Sequence, residues 1–273
     1  MRFARDITLG HYMPTGSAVH RIGAGVKIVE LIGLIIAIFL VRETAYLAIP
    51  FFFAIWVVRQ SRLPLAYVLR GMRPFLWLFL FIFVIHLFIV PGRPIFPFPM
   101  GFMKMTYSGL RQGVLVSSQV ALSITFSSIL TLTTSPMELA RGVFRLLSPL
   151  RILRVPVDDI AIMVMISLRY VPLFFREAER IAQAQRARGV DLDEGGPFQR
   201  ARRVGSMLAP LLANSLRRAH GIADALMARG YGEGGRWLTG KGEGLGREGY
   251  LSLAATGAVI SLVVFFGFLG ESP

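Results

Sequence analysis

The sequence contains no cysteine. That excludes a disulfide framework, thiolate zinc sites, iron–sulfur clusters and a cysteine nucleophile. Charge is also scarce: 17% of the 273 residues are Asp, Glu, Lys or Arg, where a soluble chain of this length carries about 25%. Acid is scarcer than base, with sixteen Asp+Glu against thirty Lys+Arg and a formal net charge of +14. Met1–Arg21 lacks an apolar core and a small-residue cleavage site, so it does not read as a secretory signal peptide. Apolar residues take the place of the missing charge, at 54% of the chain, and the mean hydropathy is +0.58. This excess is too large for one globular core and is gathered into runs, which points to a polytopic membrane protein.

Five apolar runs divide the chain. Residues 1–27 are a polar leader. Residues 28–134 hold four runs: Ile28–Val41, Ala45–Val58, Phe75–Val90 between Pro74 and Pro91, and the Ser/Thr-rich stretch from about Leu110 to Leu132. The first three are short against the roughly 20 residues a span requires, so flanking residues or local thinning must complete them. A fifth run near Tyr250–Leu269 opens the segment 250–273 and can span alone. Between lies 135–249, which is rich in Arg, Ala and Leu, cannot face lipid, and reads as helical. Basic residues set the orientation. Arg2, Arg5, Arg21 and Lys27 precede the first run, and Arg59, Arg62, Arg70 and Arg73 lie between the second and third. The positive-inside rule therefore places the N-terminus and 135–249 in the cytoplasm, and the multi-pass chain is expected in the plasma membrane of a bacterial or archaeal cell. The fold expected is an all-α integral membrane protein of about five transmembrane helices. It carries a cytoplasmic domain of one short and two long, crossed helices.

That polar segment contains a repeat. Residues 178–189 read AERIAQAQRARG and residues 219–230 read AHGIADALMARG, so Ala, Ile, Ala, Ala, Ala, Arg and Gly recur at an offset of 41. Alanine is the best helix former, and a glycine after the last helical residue is the usual left-handed cap. Each copy therefore reads as the end of a helix. The first helix is predicted to begin near Asp158–Asp159 and to be kinked at Pro172. The second is predicted to begin near Pro197 and to be kinked at Pro210. Ala178 with Ala182, and Ala219 with Ala223, give smooth faces on which the helices are expected to cross. Arg188 and Arg229 sit at the helix ends. Locally, such a cation offsets the helix dipole for about 0.3–1 kcal/mol. Two arginines in matched frames point further, to two equivalent sockets on a partner with two similar halves.

Two helices that each end in Ala-Arg-Gly resemble the transmembrane T component of energy-coupling-factor transporters. The leader Tyr12-Met-Pro-Thr-Gly-Ser17-Ala-Val-His-Arg21 is similar to that family's tyrosine–proline–glycine–serine start. Ser167-Leu-Arg-Tyr-Val-Pro172, with Glu177-Ala-Glu-Arg180, is similar to its stretch leading into glutamate–alanine–glutamate–arginine. Ser135-Pro136, Leu146-Leu-Ser-Pro149 and Val155-Pro156 resemble its short first coupling helix. Where the family has leucine–aspartate–proline–arginine–x–lysine, this chain has Ile22-Gly-Ala-Gly-Val-Lys27. The resemblance implies that Ala187-Arg188-Gly189 and Ala228-Arg229-Gly230 dock into grooves on two ABC-type ATPase subunits. It also implies that a separate substrate-binding membrane subunit, the S component, takes up a vitamin or trace metal. No cofactor is then expected on this chain, because ATP belongs to the partners.

Other readings carry less. Gly235–Gly242 approaches a phosphate-binding loop but has Gly242 where the magnesium-binding Ser or Thr belongs. A third Ala-Arg-Gly, Ala140–Gly142, lies outside the repeat frame and is read as coincidence. His11, His20 and His220 have no helical i,i+4 partner, so no metal site is assigned. Glu30 and His86 are ionisable residues inside the runs. A self-contained permease or channel would need a polar intramembrane cavity and repeated spans, and an intramembrane enzyme would need paired acids or a Ser–His set. The Arg residues flank a membrane without a recognised nucleic-acid motif, so the partners expected are lipid and protein.

Overall fold

The computed structural model describes residues 16–93, 105–189, 196–231 and 246–269. The leader before Gly16, residues 94–104, residues 190–195 and the near-match to a phosphate loop lie outside them. The described residues form helices: α1 (Ala18–Arg21), α2 (Ala24–Leu40), α3 (Ala48–Gln60), α4 (Leu65–Met72), α5 (Leu76–Ile89), α6 (Tyr107–Thr133), α7 (Pro136–Leu146), α8 (Val157–Ala187), α9 (Pro197–Ala228) and α10 (Arg247–Leu269). Single 3-10 segments precede α3, join α4 to α5, and follow α7. The chain divides into two compact units. One holds the described residues of 10–143 and 243–273, and the other those of 144–242. The boundary falls inside α7, between Val143 and Phe144.

In the first unit, burial follows helical periodicity. Leu34, Ala37, Ile38 and Val41 form the inner stripe of α2, and Leu115, Leu122, Phe126 and Ile129 that of α6. Ala54 and Val58 of α3 and Val263 of α10 complete the core. The outer faces expose Phe39, Phe52, Trp77, Leu80 and Phe81, which suits a hydrocarbon solvent. The stretches Leu65–Ile89, Tyr107–Thr133 and Arg247–Gly267 are long and apolar enough to cross a membrane, and Thr44–Gln60 is a shorter apolar helix.

The third run differs from its sequence reading. The helical path begins at Leu65, not Phe75, and passes Pro74 through the 3-10 turn Arg73–Phe75. Pro74 sits in the first positions of that turn, where its missing N–H breaks no ladder bond. Arg70 and Arg73 therefore lie within a helical stretch and not in a loop.

Close approach in this unit depends on glycine more than on hydroxyls. A Cβ on Gly109 would lie 2.5 Å from the His86 carbonyl oxygen, and one on Gly113 would lie 3.1 Å from that of Phe83. The spacing Gly109-x-x-x-Gly113 lets the backbones of α5 and α6 meet. Two hydroxyls of α6 bond to their own helix: Ser123 donates to the Gln119 carbonyl and Thr125 to that of Ala121, each at 2.8 Å. Ser117 reaches across to the Phe79 carbonyl at 3.3 Å.

Two helix ends in this unit are closed by side chains from other helices. Buried Gln119 on α6 donates from Nε2 to the carbonyls of Ile38 (2.9 Å) and Val41 (2.8 Å), which end α2. Buried Lys27 on α2 donates from Nζ to the Thr133 carbonyl and to Thr134 Oγ1, each at 3.1 Å, at the end of α6. The two unexplained ionisable residues also have partners. His86 Nδ1 donates to the Ile82 carbonyl at 2.8 Å, and Glu30 accepts from Ser252 Oγ at 2.6 Å.

The third Ala-Arg-Gly acquires a packing role. A Cβ on buried Gly142 would lie 2.7 Å from the Gly25 amide nitrogen and 2.9 Å from the Ala24 Cβ. Small residues at 24 and 25, where the resembled family carries larger ones, make that crossing possible. Reciprocal bonds between Ser135 and Glu138 form a capping box at the start of α7.

Replacing Gln119 by Leu strands the buried Val41 carbonyl and leaves that of Ile38 with the Val41 N–H alone, at 3.3 Å, a loss of about 1–3 kcal/mol. Thermal unfolding in detergent should show that loss for Gln119→Leu, while exposed Gln112→Leu stays within about 0.5 kcal/mol of wild type. Equal melting of the two variants would contradict the role given to Gln119.

Candidate functional site

The second unit is built on α8 and α9. Helix α8 opens at Val157, with Asp158 and Asp159 in its first turn, and runs through Pro172 to Ala187. Helix α9 opens at Pro197 and runs through Pro210 to Ala228. Each proline removes one ladder N–H from a helix that continues on both sides.

Their pairing is antiparallel. Ala178, Ile181 and Ala182 pack against Met207 and Leu211. Glu177 accepts from Asn214 Nδ2 at 2.9 Å and pairs with Arg218 Nη2 at 3.2 Å. Arg217 in turn donates to Asn214 Oδ1 at 2.9 Å. Tyr231 donates to Asp159 at 2.8 Å, tying the end of α9 to the start of α8. That bond and the nearby carboxylate charge push the Tyr231 phenol above its ordinary pKa.

Glu177 and Arg218 stand 41 residues apart, the offset of the repeat. In two antiparallel segments sharing one frame, equivalent positions meet only on the axis that relates them. The ion pair therefore marks a local pseudo-two-fold axis, and opposite charges occupy its two sides. An identical residue at both positions would have set like charges together.

The crossing is thus built differently from the meeting of two alanine faces expected from sequence. Ala178 and Ala182 are half-buried against Met207 and Leu211, but Ala223 is exposed, and Ala219 is exposed on the rim of a cleft. The repeat-equivalents of Met207 and Leu211 are Ile166 and Tyr170. These line that cleft of about 380 Å³, together with Phe174 and Ile222. One arm of the pair is packed and the other is open. The sequence reading has Glu177 only as part of a family-like stretch and does not single out Asn214 or Arg218. Their signal is the opposite charge immediately before each repeat.

The two ends share one backbone geometry. Arg188 has φ −86° and ψ 7°, and Arg229 has φ −90° and ψ 7°. Gly189 follows at φ +84° and Gly230 at φ +77°, a left-handed conformation that glycine adopts without a Cβ penalty. Gly189 N–H donates to the Arg186 carbonyl at 2.9 Å, and Gly230 N–H to that of Met227 at 2.8 Å. At the second end Tyr231 N–H also reaches the Leu226 carbonyl at 3.0 Å, completing a Schellman motif. The glycine caps meet carbonyls that an arginine could otherwise have served. Both arginines are exposed, and among the described residues neither guanidinium has a hydrogen-bond or ion-pair partner. Ala187 and Ala228 are exposed beside them. Because the helices are antiparallel and cross at Glu177 and Arg218, the two ends lie on opposite sides of the crossing, on the order of 30 Å apart at about 1.5 Å per helical residue. By contrast Ala140-Arg141-Gly142 sits inside α7, which continues to Leu146.

This arrangement defines an apolar helical membrane unit with a polar helix pair that presents two equivalent cationic tips. Comparison with known proteins identifies the family. The model of the CbiQ family, described as cobalt transport protein, matches residues 15–237. The energy-coupling factor transporter transmembrane protein EcfT of Bacillus subtilis (strain 168) is 35% identical over 268 residues, 97% of either chain. The protein of that name from Brevibacillus brevis is 37% identical over 265 residues, 97% of this chain and 98% of its own. That from Heliobacterium modesticaldum is 39% identical over 236 residues, 84% of this chain and 86% of its own. The chain belongs to the EcfT/CbiQ family of transmembrane T components of energy-coupling factor transporters.

The unequal arms give a test of the crossing. Ala182→Leu overpacks the contact with Met207 and Leu211 and should cost about 1–3 kcal/mol. Ala223→Leu, on an exposed face, should stay within about 0.5 kcal/mol of wild type. Thermal melts that rank the two variants equally would contradict this packing.

Proposed function

We propose that the chain is the energy-coupling subunit of its transporter. Two ABC-type ATPase subunits dock at Ala187-Arg188-Gly189 and Ala228-Arg229-Gly230, one at each tip. Their ATP-driven motion passes through α8 and α9 to a separate S component, which binds a vitamin or trace metal and delivers it across the membrane. The chain itself neither holds nor hydrolyses ATP. It spans the bacterial plasma membrane several times, with the N-terminus and the α8–α9 unit in the cytoplasm, as the distribution of basic residues favours.

One observation carries this reading. Two distant helix ends share a backbone geometry, and among the described residues each leaves its arginine without a partner after glycine has served the helix terminus. A planar guanidinium is suited to carboxylates and carbonyls lining a groove. Two such tips related by a pseudo-two-fold suit a partner of two like halves. The names of the relatives, transmembrane proteins of energy-coupling factor transporters, support the same assignment.

Arg188→Glu should weaken one attachment by about 2–5 kcal/mol through a lost charge-assisted contact and new repulsion. Arg229→Glu should act alike, and the double variant should release both ATPases while remaining membrane-inserted. The measurement is pull-down of the ATPase pair, with substrate uptake alongside. If the arginines served only their helix dipoles, each change would cost under about 1 kcal/mol and leave association intact. Topology has its own check. A reporter fused after Gly196 should be cytoplasmic, and one at Pro273 external. Both ends on one side would contradict five spans.

A further inference from the structure

In the apolar unit, α2, α3, α6 and α10 enclose a groove of about 210 Å³. Its walls are largely apolar, formed by Leu31, Leu34, Phe53, Phe126 and Ile129. Lys27 and Glu30 also line it, three residues apart and so on one face of α2. Exposed Trp56 and Leu251 belong to its rim, so the groove opens outward.

The polar groups there have unspent capacity. Lys27 is 7% exposed and donates two hydrogen bonds, to Thr133 and Thr134. An ammonium carries three donors. Glu30 accepts from Ser252 through Oε1, and among the described residues no partner meets Oε2. No ion pair joins Lys27 to Glu30, although both face one apolar space.

We propose that this groove binds a phospholipid with a primary ammonium in its headgroup, an ethanolamine phospholipid. Its acyl chain lies along the apolar wall. Its phosphate accepts from the remaining Lys27 N–H, and its ammonium donates to Glu30 Oε2. Charge complementarity selects this occupant. A purely anionic headgroup would leave Glu30 facing negative charge, and a quaternary choline headgroup has no N–H to donate. The setting agrees. Trp56 lies one turn before the polar end of α3 at Arg59 and Gln60, where amphipathic rings mark the headgroup level of a membrane. The Arg21–Glu248 ion pair, 3.2 Å long, adds polar groups at that end, since Glu248 also lines the groove. The inference rests on the membrane placement proposed above but not on ATPase docking, and its test contains no ATPase.

The experiment is native mass spectrometry of the full chain, titrated in detergent with dioleoyl phosphatidylethanolamine, phosphatidylglycerol or phosphatidylcholine. Wild type should retain phosphatidylethanolamine at least about five-fold more tightly than the other two, roughly 1 kcal/mol. Glu30→Gln should bring that preference below about two-fold while the chain melts cooperatively, since the amide keeps the Ser252 contact and loses the charge. Ala255→Phe fills the groove wall without touching Lys27 or Glu30 and should strip all three lipids. Equal retention of phosphatidylethanolamine and phosphatidylglycerol by wild type overturns the proposal. So does an undiminished preference in Glu30→Gln, or full retention in Ala255→Phe.

Discussion

A helix terminus leaves carbonyls that no residue of its own ladder can reach, and away from water each must find a donor. This requirement is met in two ways in one chain. Within the apolar unit, donors come from other helices: Gln119 closes α2, and Lys27 closes α6. Each such bond fixes two helices to each other, so termination and packing become one event. On α8 and α9 the termini serve themselves. Gly189 and Gly230 turn into the left-handed region and bring their own N–H groups back to the last turn. A helix closed in that way does not draw on the arginine beside it, and among the described residues that guanidinium meets no partner.

The antiparallel arrangement converts this local device into a symmetric one. Because Glu177 meets Arg218 at the repeat offset, the pair is held near its middle and its tips point apart. A single chain thereby presents two similar cationic tips, which its repeat alone would not have positioned. The symmetry is incomplete. Met207 and Leu211 fill one arm, whereas Ile166 and Tyr170 border a cleft in the other.

Legibility in the sequence followed the reach of each interaction. The ends of α8 and α9 could be read because Ala-Arg-Gly is a local capping signal, set by glycine conformation and alanine propensity. The starts near Asp158 and Pro197 were equally local. What escaped were contacts made between segments distant in sequence. Gln119 looked like one polar residue in a Ser/Thr-rich span, and only the fold brings it to Ile38 and Val41. Gly109 and Gly113 carried a recognisable small-residue spacing that was hidden among hydroxyls. Pro74 was read as a break because a 3-10 turn that absorbs it is set by its neighbours. The alanine faces were identified, but not the side chains they meet, since repeat frames do not specify register.

The central claim is that the two tips hold two different ATPase subunits. A chain without native cysteine permits a direct measurement. Ala187→Cys and Ala228→Cys, each next to an intact arginine, can be crosslinked to the ATPase pair in membranes and the adducts weighed. One chain joined to one ATPase in either single variant, and to two ATPases in the double variant, is the predicted result. Adducts from both positions on a single ATPase subunit, or none from either, would contradict it.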